Sequence, residues 1–251
     1  MIVFITGASA GFGLAIAKRF ASDGAKIVAT ARRLDRLEQL RDELGAQVLP
    51  LALDVRDRVA VTRAFATLPA AFREVDVLVN NAGLAMGIEP AHKASLDDWD
   101  TMVDTNVKGL MYCTRAALEG MVARDRGHVV NIGSVAAHFP YAGGHVYGAT
   151  KAFVYQFGLS VRSDLLGTKV RVTDVEPGLV GGTELSNVRF RGDDAKAAAM
   201  YAGVQPLTPE DVADCVHWAA TRPAHVNINT IQLMPVCQAP TRLTTYRKEP
   251  T

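Results

Sequence analysis

The 251-residue chain carries 27 basic and 26 acidic residues, a formal net charge of +1, and 49% of its residues are hydrophobic. That composition argues for a globular protein and against a disordered one, and the charge balance gives no electrostatic basis for binding nucleic acid or an anionic membrane. The three cysteines, Cys113, Cys215 and Cys237, are odd in number and widely spaced, which argues for reduced thiols rather than a disulfide framework or a zinc site.

Short runs rich in Val and Ile alternate with amphipathic helical patterns. Strands are predicted at Ile2–Thr6, Lys26–Ala31, Val48–Leu53, Val75–Val79, His128–Ile132, Arg171–Val175 and Ile231–Met234. They read as apolar throughout, as expected for strands buried on both faces of a parallel sheet. Gly7 interrupts the first run too early for a signal peptide, and no run has the length of a membrane span, so a cytoplasmic location is expected. A helix is predicted over Gly11–Ser22, after a glycine turn, and another over Asp35–Leu44, which stops before Gly45. Ser95 with Asp98 resembles a capping box. Thr208-Pro209-Glu210-Asp211 starts a helix running to Thr221: a cap, Pro at the first position and acids in the first turn. The repeated strand–helix–strand order predicts an α/β fold, a single Rossmann-type doubly wound parallel sheet of about seven strands with helices on both faces. One domain spanning residues 1–251 is expected, with Gly178–Pro206 as a long irregular lid.

The first strand runs into Thr6-Gly7-Ala8-Ser9-Ala10-Gly11-Phe12-Gly13. Glycines there permit a tight turn and let backbone amides approach a phosphate, while the next helix points its positive end at it. The second strand ends Thr30-Ala31-Arg32-Arg33, with no acid. A carboxylate at that place would hold a ribose 2′-hydroxyl, whereas Arg suits a 2′-phosphate, so NADP(H) is predicted over NAD(H).

Tyr147 and Lys151 are four apart, which on a helix puts them on one face. A neighbouring ammonium favours the phenolate and makes the pair a plausible acid/base device. Ser134 follows the fifth strand, Asn80-Asn81-Ala82-Gly83 the fourth, and Pro177-Gly178 the sixth. Residues just past the carboxyl ends of parallel strands gather at the ligand crevice. Asn106 lies in the helix before the fifth strand. His138 and His145 flank the active-site loop without a third ligand at useful spacing, so no metal is expected.

With its TGxxxGxG turn, Asp54-Val55, NNAG at Asn80–Gly83, Asn106, Ser134, YxxxK and Pro177-Gly178, the sequence resembles the short-chain dehydrogenase/reductase family over essentially its whole length. The resemblance implies that Tyr147 is the general acid/base, that Lys151 lowers its pKa and binds the nicotinamide ribose, and that Ser134 hydrogen-bonds the substrate oxygen. It implies that Asn106 holds a water in a proton relay, that Asp54 and Val55 flank the adenine, and that Asn81, Ala82 and Gly83 meet the ribose region. Pro177, Gly178, Val180 and Thr183 are further expected cofactor contacts, and a homo-oligomer, a tetramer before a dimer, is implied. Within the family, Gly87–Lys93, Pro140–Gly144, Pro177–Asp194 and Val226–Pro235 are similar to the NADP-dependent 3-hydroxy acid dehydrogenases. That implies a small 3-hydroxy acid substrate of the serine, allo-threonine or 3-hydroxypropionate type, interconverted with its 3-oxo acid or semialdehyde. Arg189 is the expected contact for the substrate carboxylate, with Arg191 the other candidate. A broader carbonyl or 3-ketoacyl reductase and a non-catalytic NADP-binding regulator stay open as alternatives.

Overall fold

The computed structural model describes residues 1–240; the last part of the expected 1–251 domain lies outside the described residues. Seven parallel strands form one sheet: β1 (Ile2–Thr6), β2 (Lys26–Ala31), β3 (Val48–Ala52), β4 (Val77–Asn80), β5 (Gly127–Ile132), β6 (Val170–Pro177) and β7 (Thr230–Leu233). Their spatial order is β3-β2-β1-β4-β5-β6-β7. The order reverses between β1 and β4, so a crevice opens beyond their carboxyl ends. Each predicted strand is present; β6 extends beyond its predicted end to Pro177 and carries Asp174 and Glu176 buried inside it, so it is not apolar throughout.

Nine α-helices accompany the sheet among the described residues: α1 (Gly11–Ser22), α2 (Leu34–Leu44), α3 (Arg58–Ala66), α4 (Leu96–Val103), α5 (Leu110–Ala123), α6 (His145–Asp164), α7 (Leu185–Arg189), α8 (Asp194–Ala199) and α9 (Pro209–Ala220). Strand side chains alternate between two cores. Val3 and Ile5 of β1 join Ile16 and Phe20 of α1 and Val212 and Val216 of α9. Phe4, between them, joins Val61 of α3, Cys113 and Met121 of α5 and Val161 of α6. Phe4 is fully buried and stacks on Phe65 at 4.3 Å between ring centroids; burial of such a side chain contributes roughly 1.5–3 kcal/mol.

Local chemistry sets the helix ends. At α9 the Thr208 hydroxyl accepts from the Asp211 amide while the Asp211 carboxylate accepts from the Thr208 amide, a reciprocal capping box where the sequence predicted a simple cap; the box expected at Ser95 and Asp98 shows only its first half. At α4 the Ser95 hydroxyl accepts from the Asp98 amide. A π-helical turn over Asp104–Gly109 joins α4 to α5. The Gly178–Pro206 segment departs from expectation: it contains α7 and α8, so it is not irregular throughout. None of the described helices is long and apolar enough to cross a membrane.

Candidate active site

The residue that caps helix α1, Ala10, has no side-chain oxygen, so the first-turn amides are left for the cleft. Gly7 and Gly11 have φ of +70° and +52°, backbone that side chains other than glycine rarely adopt. A Cβ on Gly13 would collide with the Gly7 carbonyl oxygen. The Thr6 hydroxyl accepts from the amides of Asn81 and Ala82, both at 2.9 Å. The Asn81 side chain donates to the carbonyls of Thr6 and Gly7 at 2.8 and 3.1 Å. The two loops at the switch point are thereby tied together, and Asn81, expected only as a ribose contact, also braces the turn.

A cleft of about 260 Å³ runs from this turn to Tyr147 and Lys151. Of the predicted residues, Gly7, Ser9, Ala10, Gly11, Phe12, Arg32, Arg33, Asp54, Val55, Asn81, Ala82, Gly83, Thr183, Tyr147 and Lys151 line it. Ala8, Gly13, Pro177, Gly178 and Val180 do not, nor do Asn106, Ser134 and Arg189, which lie behind or beside its wall. Ala8 and Val180 are buried in the core, Gly13 packs beneath Gly7, and Gly178 packs on Met234 and Gln238. At the far end Arg33 donates to the Ser9 hydroxyl at 3.0 Å and to the Glu184 carboxylate at 2.8 Å, and Arg36 reaches the same carboxylate at 2.6 Å. Asp54 is engaged by Arg56, whose hydrogen bond holds its carboxyl below the usual range. The uncapped amides, the glycine turn and the cationic end with no acid on β2 fit a phosphorylated dinucleotide.

At the other end Tyr147 and Lys151 project from α6, with the Lys151 ammonium 5.9 Å from the Tyr147 ring centroid. Lys151 donates to the Ile132 carbonyl at 2.7 Å. Burial lowers its pKa to about 8, against the raising charge of Asp174. Ser134 caps a short turn by accepting from the Ala136 amide at 3.1 Å, which places its hydroxyl against Tyr147. Burial raises the Tyr147 phenol, while the Ser134 hydrogen bond and the Arg189 charge pull it down. Two cations thus stand near the Tyr147 ring centroid: Lys151 at 5.9 Å, and Arg189, missed as a neighbour of this phenol, at 5.3 Å. Arg189 is held in turn by the Tyr141 hydroxyl at 3.0 Å. Arg191 points elsewhere, pairing with Asp98 at 2.7 Å.

Asn106 sits in the π-helical turn, where its side chain bonds both backbone groups of Leu84 at 2.9 Å and the Thr150 hydroxyl at 3.0 Å. It joins the NNAG segment to α6, a role that spacing alone did not suggest. Sequence reasoning also passed over Glu184, Asp174 and Glu176. The signal for the last two was available: a charge inside a strand covered on both faces requires a reason. Among the described residues no group of His, Cys, Asp or Glu could hold a metal ion.

The family profile for short chain dehydrogenases matches residues 1–194. The chain is 62% identical over 247 residues to the NADP-dependent 3-hydroxy acid dehydrogenase YdfG of Salmonella typhi, covering 98% of this chain and 100% of that one. It is 49% identical over 246 residues to the serine 3-dehydrogenase of Rhizobium radiobacter, covering 98% of each. A solved structure of the closed form of serine dehydrogenase complexed with NADP+ matches with a TM-score of 0.98 at 60% identity, over 99% of this chain and 100% of that one. The glycine turn, the seven-stranded parallel sheet and the Tyr147–Lys151 pair thus have one explanation: the chain belongs to the short-chain dehydrogenase family.

Proposed function

We propose that the chain is an NADP(H)-dependent dehydrogenase that interconverts small 3-hydroxy acids, of the serine, allo-threonine and 3-hydroxypropionate type, with their 3-oxo acids or semialdehydes. The observation that carries this reading is the guanidinium of Arg189 beside the Tyr147 ring. A substrate whose hydroxyl lies at Tyr147 can place a carboxylate two carbons away on that cation through charge-assisted hydrogen bonds. The names of the relatives agree with it.

The glycine turn, the first turn of α1, Arg32 and Arg33 would hold the cofactor's phosphates, and Asp54 and Val55 would flank its adenine. Bound NADP(H) supplies or accepts the hydride. Tyr147 gives its phenolic proton to the carbonyl oxygen in reduction and takes the hydroxyl proton in oxidation. Ser134 hydrogen-bonds the same oxygen and stabilises the developing alkoxide. Lys151 keeps a positive charge at the base of the site, and Asn106 fixes the height of α6 against the NNAG loop. Gly178–Pro206 is the lid, contributing Thr183, Glu184, Leu185 and Val188 to the cleft wall. A broader 3-ketoacyl reductase would have no use for the Arg189 charge, and a silent binding protein no use for the Tyr147–Ser134 contact. The enzyme acts in the cytoplasm as a homo-oligomer, a tetramer in preference to a dimer, which sedimentation measures. NADP-dependent activity across serine, 3-hydroxypropionate and a 3-ketoacyl thioester tests the substrate class. Turnover of the two hydroxy acids alone is expected; preference for the thioester would overturn it.

A further inference from the structure

Three segments meet at Arg189: the lid, the Gly87–Ile88 segment and the Pro140–Gly144 loop. Arg189 ends α7, a five-residue helix of the lid. Its carbonyl accepts from the Gly87 amide at 3.2 Å, and its Nη2 donates to the Tyr141 hydroxyl at 3.0 Å. The guanidinium carbon lies 5.8 Å from the Tyr141 ring centroid and 5.3 Å from that of Tyr147, close enough for both rings to attract the cation. Tyr141 is seated by its own loop. The Gly144 amide donates to the Tyr141 carbonyl at 3.0 Å, and a side chain on Gly144 would start 2.5 Å from the Tyr141 ring. One on Gly143 would collide with the Ile88 carbonyl oxygen, so the loop also packs on the segment that bonds Arg189. Charge is distributed unevenly among the nearby arginines. Among the described residues, Arg33 and Arg36 pair with Glu184 and Arg191 with Asp98, whereas Arg189 pairs with no carboxylate. Its partner is a phenol, which burial raises above its ordinary pKa against the Arg189 charge and so keeps neutral. A carboxylate in that place would orient the guanidinium but compete with any acid arriving from solvent, whereas a phenol orients it and leaves its charge available. An arginine already held also loses less rotamer freedom when its ligand binds.

We propose that Tyr141 is a positioning residue that sets the selectivity for hydroxy acids: its hydroxyl holds Arg189 in the orientation that receives the substrate carboxylate, without neutralising it. This rests on the hydroxy acid dehydrogenase reading above. Arg189 belongs to the lid and Tyr141 to the loop that leads into α6, so the carboxylate reader is complete only when the lid is seated on that loop. Tyr141 acts through Arg189 and not on the reacting atoms, so its loss belongs in KM for the acid and not in kcat.

Tyr141→Phe tests this, because it keeps the ring against Gly144 and removes only the hydroxyl. With NADP+, KM for 3-hydroxypropionate is expected to rise about three- to tenfold while kcat stays within about twofold of the wild type. The kcat/KM preference for 3-hydroxypropionate over 1-propanol should fall by the same factor. In an Arg189→Ala background, Tyr141→Phe should change KM for the acid by less than about twofold, since the group it positions is gone. A Tyr141→Phe enzyme that keeps the wild-type KM or the wild-type preference, or whose loss falls on kcat, overturns the proposal. So does a Tyr141→Phe effect that multiplies with that of Arg189→Ala, which marks a contact independent of the arginine. A wild type that prefers 3-hydroxypropionate no more than 1-propanol overturns the hydroxy acid reading instead, and the role of Tyr141 with it.

Discussion

The glycine-turn end of the cleft and the Gly178–Pro206 segment across from it are held in different ways. The first is fixed by backbone: parallel ladders, two glycines at positive φ, and a Thr6–Asn81 clasp onto main-chain groups. Between its ends, the second is tied to the body mainly by side chains: Glu184 to Arg33 and Arg36, Arg191 to the buried Asp98, and Arg189 to Tyr141, with a backbone bond from Gly87 to Arg189; further backbone bonds, to Leu207 and Leu233, hold the Gly178–Gly181 end. Inside it, Tyr201 bonds Ser186 at 2.7 Å and the Val180 carbonyl at 3.1 Å, so it is ordered within itself but lightly attached. A binding site for a constant group can be rigid, while a segment that admits and releases substrate needs weak, breakable contacts.

Substitutions can break this contrast in order of effect. Tyr147→Phe removes the acid/base at the junction of the two regions. We expect kcat to fall by about 100- to 10,000-fold, with NADPH affinity by fluorescence titration unchanged. Gly13→Val attacks the rigid end, where the first added carbon already meets the Gly7 carbonyl oxygen. Overpacking of that kind costs about 1–3 kcal/mol, and NADPH affinity should fall with it while the far-UV circular dichroism of the sheet persists. Arg189→Ala attacks the lightly attached region. The lost charged hydrogen bond, worth about 1.5–3 kcal/mol, should raise KM for 3-hydroxypropionate about 10- to 100-fold with kcat much less affected. Arg32→Ala should reduce the NADP-over-NAD ratio of kcat/KM by about tenfold or more, and a retained preference would reassign the 2′-phosphate contact. The smallest effect belongs to Glu184→Gln. Its ion pairs are solvent-screened and worth about 0.2–1 kcal/mol, so the change should be a weakened dependence of KM on salt rather than a lost activity.

The same contrast decides what was legible in sequence. The rigid end announces itself, because Val- and Ile-rich runs can only be buried strands and because Gly7, Gly11 and Gly13 leave few other conformations. Tyr147 and Lys151 were legible from helical spacing together with their place after β5. The π-helical turn that sets Asn106 was not, since a slip in helical pitch leaves the apolar pattern nearly intact. Helices α7 and α8 span five and six residues, too few for periodicity to register. Glu184 meets Arg33 across 151 positions of sequence, and nothing local marks such a pair. Asp174 reads as one more strand residue, and only the fold shows that it lies buried behind Lys151 without a donor.

The central claim is that Tyr147 and Arg189 together read a hydroxyl and a carboxylate on one small molecule. The most direct measurement is kcat/KM of the wild type with NADP+ for 3-hydroxypropionate against 1-propanol, which keeps the hydroxyl and lacks the carboxylate. A preference for the acid of about 10- to 100-fold is predicted, from a charged hydrogen bond gained only by the acid. Equal values for the two alcohols would contradict it.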